Sequence, residues 1–95
     1  MKIYISGPEK YQGEYNDVER ALQNEGHEVI NRIKVLNQIS LPERDKQEMT
    51  KCLVSMCDTI FLLTGWQQDP VSNLEFDKAV EERLCITFED GKGAI

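Results

Sequence analysis

The run Asp58 to Leu63, DTIFLL, constrains the fold of this chain more than any other segment. It is the most hydrophobic stretch and predicts a fully buried central strand, of the kind found in sheets covered on both faces by helices. The flanking sequence supplies such helices. Lys2 to Ser6, KIYIS, alternates and is rich in β-branched and aromatic residues, so it reads as a first strand. Tyr15, Val18, Ala21 and Leu22 fall at helical spacing, and Gly26 fits the position just past that helix. His27 to Asn31 predicts a second strand, and residues 32–39 read as a linker. Ser40-Leu41-Pro42-Glu43 has a capping-box pattern with Pro in the first turn. Met49, Cys52, Leu53 and Met56 then predict a helix over about 41–56, with these four residues on its apolar face. Leu74, Phe76, Ala79 and Val80 mark a third helix, and Leu84 to Phe88 a last strand. The tail from Glu89 is expected to fray.

Strands that alternate with helices pair in parallel through right-handed crossovers. The expected fold is therefore α/β: a Rossmann-like or flavodoxin-like three-layer sandwich with a four-stranded, mainly parallel sheet. The 95 residues make one domain. A domain of this size leaves much of its surface exposed, so a homodimer or larger homo-oligomer is expected. Ligands of such sheets bind in the crevice beyond the carboxyl ends of the strands. Three segments meet there: Ser6-Gly7-Pro8, Thr64 to Ser72, and the start of the third helix.

The charge balance narrows the ligand class. The formal net charge is −6, which disfavours a nucleic-acid polymer as partner, whereas one locally neutral pocket can still hold a nucleoside or nucleotide. No apolar run approaches the length of a membrane span, and the first residues do not form a secretory leader, so a cytoplasmic protein is expected (host cytoplasm if the source is viral). The three cysteines include no CxxC pair. Cys52 and Cys57 read as buried reduced thiols. One histidine, His27, gives a metal site little support, and no cofactor is expected. Neither GxGxxG nor GxxxxGK[ST] is present.

Carboxylates and a tyrosine remain for chemistry. Tyr4 lies near the end of the first strand, and Asp69 and Glu75 lie across the loop and start of the third helix. A carboxylate there can attack an anomeric carbon while an acid protonates the leaving group. Structural roles compete. Asp69 before Pro70 suits an N-cap with Pro at N1, and Ser72-Asn73-Leu74-Glu75 is itself a capping-box pattern. Tyr4 can be a core tyrosine with one hydrogen bond. Asp58 reads as a cap at the far end of the sheet, and Trp66 either walls a pocket or covers the sheet edge.

Several segments together are more specific. Tyr4-Ile5-Ser6-Gly7-Pro8, Gly26 to Asn31, Cys57 to Trp66, and Leu74-Glu75 with Ala79 resemble the small phage and prophage family described as nucleoside 2-deoxyribosyltransferase-like. The resemblance implies a Rossmann-like oligomer that cleaves or transfers the N-glycosidic bond of a 2-deoxynucleoside or related nucleotide. It makes Glu75 the nucleophile at C1′ and Tyr4 the residue that orients it. Asp69, six before Glu75, is the sugar-holding position, and its charge favours a nucleoside over a phosphorylated ligand. Ser6, Gly7, Gly65, Trp66 and Ser72 complete the implied substrate site. Such enzymes carry a further aspartate eight residues before the central-strand Asp. Here that position is Thr50, or Cys52 in a shifted register, and Val71-Ser72 stand where small relatives have Gly-Ala. A catalytically inactive binding protein for a nucleotide-like ligand, or a viral interaction protein, is the alternative on the same fold. The enzymatic reading expects Glu75→Ala to abolish base release with the fold intact.

Overall fold

A computed structural model describes residues 1–89. Four strands, β1 (Lys2–Ser6), β2 (Glu28–Asn31), β3 (Thr59–Leu62) and β4 (Cys85–Phe88), form one sheet in the order β2-β1-β3-β4. All three pairings are parallel, with Tyr4 level with Ile30 on one side and Ile60 on the other. Helix α1 (Gln12–Asn24) and the short α2 (Arg32–Leu36) lie on one face, where Tyr15, Val18 and Ile33 pack on Ile5 and Leu63. Helices α3 (Glu43–Ser55) and α4 (Pro70–Glu81) lie on the other, where Val54 and Ala79 pack on Tyr4, Ile60 and Leu62. The result is the expected α/β three-layer sandwich, with an entirely parallel sheet.

Local chemistry explains most boundaries. Gly26 sits just past α1 at φ 92°, a left-handed conformation that glycine adopts without steric cost. The segment read as a linker instead opens with α2. Its N-cap is Asn31, whose side-chain oxygen accepts from Ile33 N and Lys34 N. Helix α3 starts later than the Ser40 pattern suggests. Pro42 occupies the N-cap position without a side-chain cap, and Ser40 lies outside the helix.

The buried stripes of both sheet-covering helices also differ from expectation. In α3, Thr50, Leu53 and Val54 face inward, and Cys57 just past the helix continues the stripe, while Cys52 is exposed and Met56 at the C-cap is 61% exposed. In α4 the stripe is Ser72, Glu75, Phe76 and Ala79, while Val80 is half exposed. Both stripes keep the i, i+3, i+4, i+7 spacing of a core-facing helix, but each includes polar residues. An assignment made from apolar residues alone rotates the face. Thr50 fits the core because its hydroxyl donates back to Gln47 O at 3.0 Å.

Asp58 caps the amino end of the sheet, where its carboxylate accepts from Lys2 N at 2.9 Å. At the other end Glu89 is held in place. Its N–H donates to Leu62 O, and its carboxylate accepts from Thr64 N, both at 2.9 Å. The remainder of the expected frayed tail, 90–95, lies outside the described residues. Among the described residues no helix is long and apolar enough to cross a membrane.

Candidate functional site

The carboxyl ends of β1 and β3 lead directly into the two turns that bound a crevice. After β1 the chain passes Gly7-Pro8 into a 3-10 turn, Glu9–Tyr11. The close approach of this turn to the end of β3 requires glycine: a Cβ on Gly7 would stand 2.6 Å from Leu63 Cβ. After β3, Gly65 at φ 91° opens a second 3-10 turn, Trp66–Gln68. The crevice between them has a volume of about 410 Å³ and is walled by Pro8 to Tyr11 on one side and by Gly65, Gln68 and Asp69 on the other. Its wall is chemically mixed, with Glu9 and Asp69 acidic and Lys10 set over the Tyr11 ring.

Behind this crevice lies a cluster of buried polar side chains centred on Glu75. The Tyr4 hydroxyl donates to Glu75 Oε2 at 2.5 Å. Ser6 Oγ donates to Oε1 at 2.6 Å, and Arg32 Nη1 donates to the same oxygen at 2.7 Å. Tyr4 and Ser6 point to one side of β1 because they are two apart on a strand. Arg32 reaches the site because it immediately follows β2, whose end lies beside that of β1. Its Nη2 donates to Gly7 O and also reaches Asp69 Oδ2 at 3.2 Å. The Tyr15 hydroxyl donates to Gly7 O at 2.7 Å, so that one carbonyl joins α1, β1 and α2. Glu75, Tyr4, Ser6 and Arg32 have no exposed surface in the chain.

Asp69 is the member of this network that also walls the crevice. Its Oδ2 accepts from Ser72 N at 3.0 Å, from Ser72 Oγ at 2.6 Å, and from Arg32. Asp69 is thus the N-cap of α4 with Pro70 at N1. The competing pattern from Ser72 to Glu75 is not a capping box, because α4 begins at Pro70 and Glu75 already points into the core in its second turn. Ser72 supports Asp69 from beneath. Trp66 stacks on Phe76 with ring centroids 4.7 Å apart and lies 6.2 Å from Phe88. It therefore covers the hydrophobic cluster at the sheet edge and is not part of the crevice wall.

Burial pushes the Glu75 carboxyl above the usual range. The Arg32 guanidinium, and then the hydroxyls of Ser6, Tyr4 and Thr50, oppose that push. Thr50, not Cys52, is therefore the residue of α3 that faces the site. Arg32 is held protonated: desolvation is the largest single influence and works against its charge, but Glu75, Tyr15, Tyr4 and Asp69 together outweigh it. Tyr4 is raised well above 10 by burial and by the adjacent Glu75 charge. Among the described residues no group of three or more His, Cys, Asp and Glu side chains could hold a metal ion.

Arg32 is the site residue that sequence reading passed over. Its signal was present in the chain: a charged residue directly after a strand, on the edge of the sheet where ligands bind. It was hidden because α2 is short and follows β2 without a loop.

A Rossmann-like domain with a buried tyrosine–glutamate–arginine cluster beneath a strand-end crevice is the class that fold and site define. The chain belongs to the family described as Domain of unknown function (DUF4406), whose model matches residues 1–88. No curated protein and no solved structure matches it.

Proposed function

We propose that the chain acts on the N-glycosidic bond of a 2-deoxynucleoside or related small ligand bound at the strand-end crevice, with Glu75 as nucleophile. The observation that carries this reading is the convergence of Tyr4, Ser6 and Arg32 on one carboxylate at the carboxyl edge of the sheet. Such donors fix a carboxylate in one orientation and oppose the burial that raises its pKa, so that the charged form a nucleophile requires is supported against desolvation. Attack forms a bond from a Glu75 oxygen to the anomeric carbon as the carbon–nitrogen bond breaks. The base leaves with a proton from solvent, because Thr50 supplies no acid. Water or a second base then releases the sugar from Glu75. Asp69 is the group on the crevice wall that would meet a sugar hydroxyl, and its charge disfavours a phosphorylated ligand there.

Complete burial of Glu75, with donors on both its oxygens, favours a second reading: a binding protein that holds a nucleoside-like ligand without cleaving it. Because Glu75 is fully buried, a sugar reaches it only after one donor turns aside, so on the enzymatic reading turnover is expected to be slow. The test is incubation with a panel of 2-deoxynucleosides and their monophosphates, with free base followed by chromatography. Base release that Glu75→Gln abolishes supports the enzyme. Absence of release and of base exchange across the panel rejects it, and ligand retention in native mass spectrometry then supports the binding protein.

Glu75→Gln is preferable to Glu75→Ala for this purpose. Either change removes the nearest counter-charge of the buried Arg32, and breaking a buried ion pair costs about 3–5 kcal/mol. Glutamine, however, keeps the side-chain volume and an oxygen that accepts from Ser6 and Arg32, whereas alanine also leaves a cavity and unpaired donors. The expectation that Glu75→Ala leaves the fold intact does not suit this geometry.

A further inference from the structure

The network contains one cation and two carboxylates. Arg32 Nη1 lies 2.7 Å from Glu75 Oε1, and its Nη2 lies 3.2 Å from Asp69 Oδ2. Arg32 and Glu75 side chains are fully buried, and Asp69 retains 19% exposure on the crevice side. Arg32 Nε is buried and has no hydrogen-bond partner among the described residues, where the guanidinium is anchored through its two terminal nitrogens. We infer that Arg32 is a positioning residue that Asp69 and Glu75 compete for, so that the charge on the crevice wall governs the charge on Glu75.

The groups around Glu75 leave few other candidates for that role. From β1 it meets Tyr4, which stays neutral at ordinary pH because its pKa is raised, and Ser6. Among the described residues the further groups that act on it are the Thr50 hydroxyl of α3 and Arg32 of α2. Tyr15 of α1 bonds to Gly7 O and reaches the network through Arg32. Among the described residues Asp69 is therefore the one further carboxylate tied into the cluster. A carboxylate beside a guanidinium titrates lower, and a second carboxylate drawing on the same guanidinium works against it. This stands apart from the proposed chemistry, because it concerns the state of the Glu75 carboxyl whether or not a glycosidic bond is cleaved.

The experiment is a pH titration of the glutamate side-chain carboxyl carbons by NMR on the full, carbon-13-labelled chain, with the Glu75 signal assigned by its loss in Glu75→Gln. Asp69→Asn keeps a good helix cap, since asparagine caps as well as aspartate, but removes the competing charge. It is expected to lower the Glu75 midpoint by about one pH unit or more. Arg32→Met is expected to raise the midpoint by a similar amount, and Arg32→Lys to return it part of the way, because one ammonium cannot reach both carboxylates as the guanidinium fork does. If Arg32→Met fails to fold by circular dichroism, Asp69→Asn and Arg32→Lys carry the test. A midpoint that Asp69→Asn leaves unchanged or raises overturns the inference, because Asp69 would then serve α4 only as a cap.

Discussion

Cys57 illustrates how environment decides the behaviour of identical side chains. It is buried at the end of α3, and burial pushes its thiol up to about 11. A thiolate is the reactive form, so this thiol is inert at neutral pH. Cys52 and Cys85 are exposed. With a chromogenic disulfide reagent at neutral pH, two thiols are expected to react promptly and the third only after urea is added. Three prompt thiols would contradict the buried position of Cys57. The sequence placed Cys52 and Cys57 together in the core because both sit in or beside apolar helical sequence. The stripe actually used includes Thr50, and the helix is turned accordingly. Arg32 was hidden in the same way: charged residues are rarely fully buried unless paired, and its pairing with Glu75 spans 43 positions. Tyr4, Glu75 and Asp69 were legible as candidates. Their partner could not be read from spacing, because only the parallel pairing of β1 and β2 brings it close.

At the scale of elements, the four strands and their parallel pairing followed from hydrophobic pattern and alternation with helices. The helix starts were less legible, since two overlapping cap patterns preceded α4 and an unused one preceded α3. Asn31 shows what a working cap contributes. It ends β2, starts α2 and delivers Arg32 to the site, while its amide nitrogen donates to Asn16 and Glu19 at 3.3 and 3.4 Å. Asn31→Ala is expected to destabilise the protein by about 1–2 kcal/mol, the cost of losing a cap. Urea unfolding followed by circular dichroism measures this. A change within roughly 0.3 kcal/mol would mean that α2 is held by packing of Ile33 alone, since surface-like substitutions fall in that range.

For the whole molecule, the buried tyrosines tie stability to alkaline pH. Burial raises both Tyr4 and Tyr15 above the ordinary phenol value of about 10. In the unfolded chain both ionise near that value, so above it the folded state binds more protons than the unfolded state. Their contribution is fully present below about pH 10 and is lost as pH rises further. The urea midpoint is expected to fall above that pH. Phenolate absorbance from Tyr4 and Tyr15 should appear only together with loss of the helical signal. Ionisation of all three tyrosines with the helical signal intact would contradict this.

Three donors meet on the single oxygen Oδ2 of Asp69: two from Ser72 and one from Arg32. That atom is a joint with no slack. The first turn of α4 and the guanidinium behind the crevice cannot be displaced independently, since tilting one withdraws an acceptor from the other. Redesign of the crevice wall is therefore freest at Gln68 or Glu9, whose side chains can be exchanged while the joint stays closed.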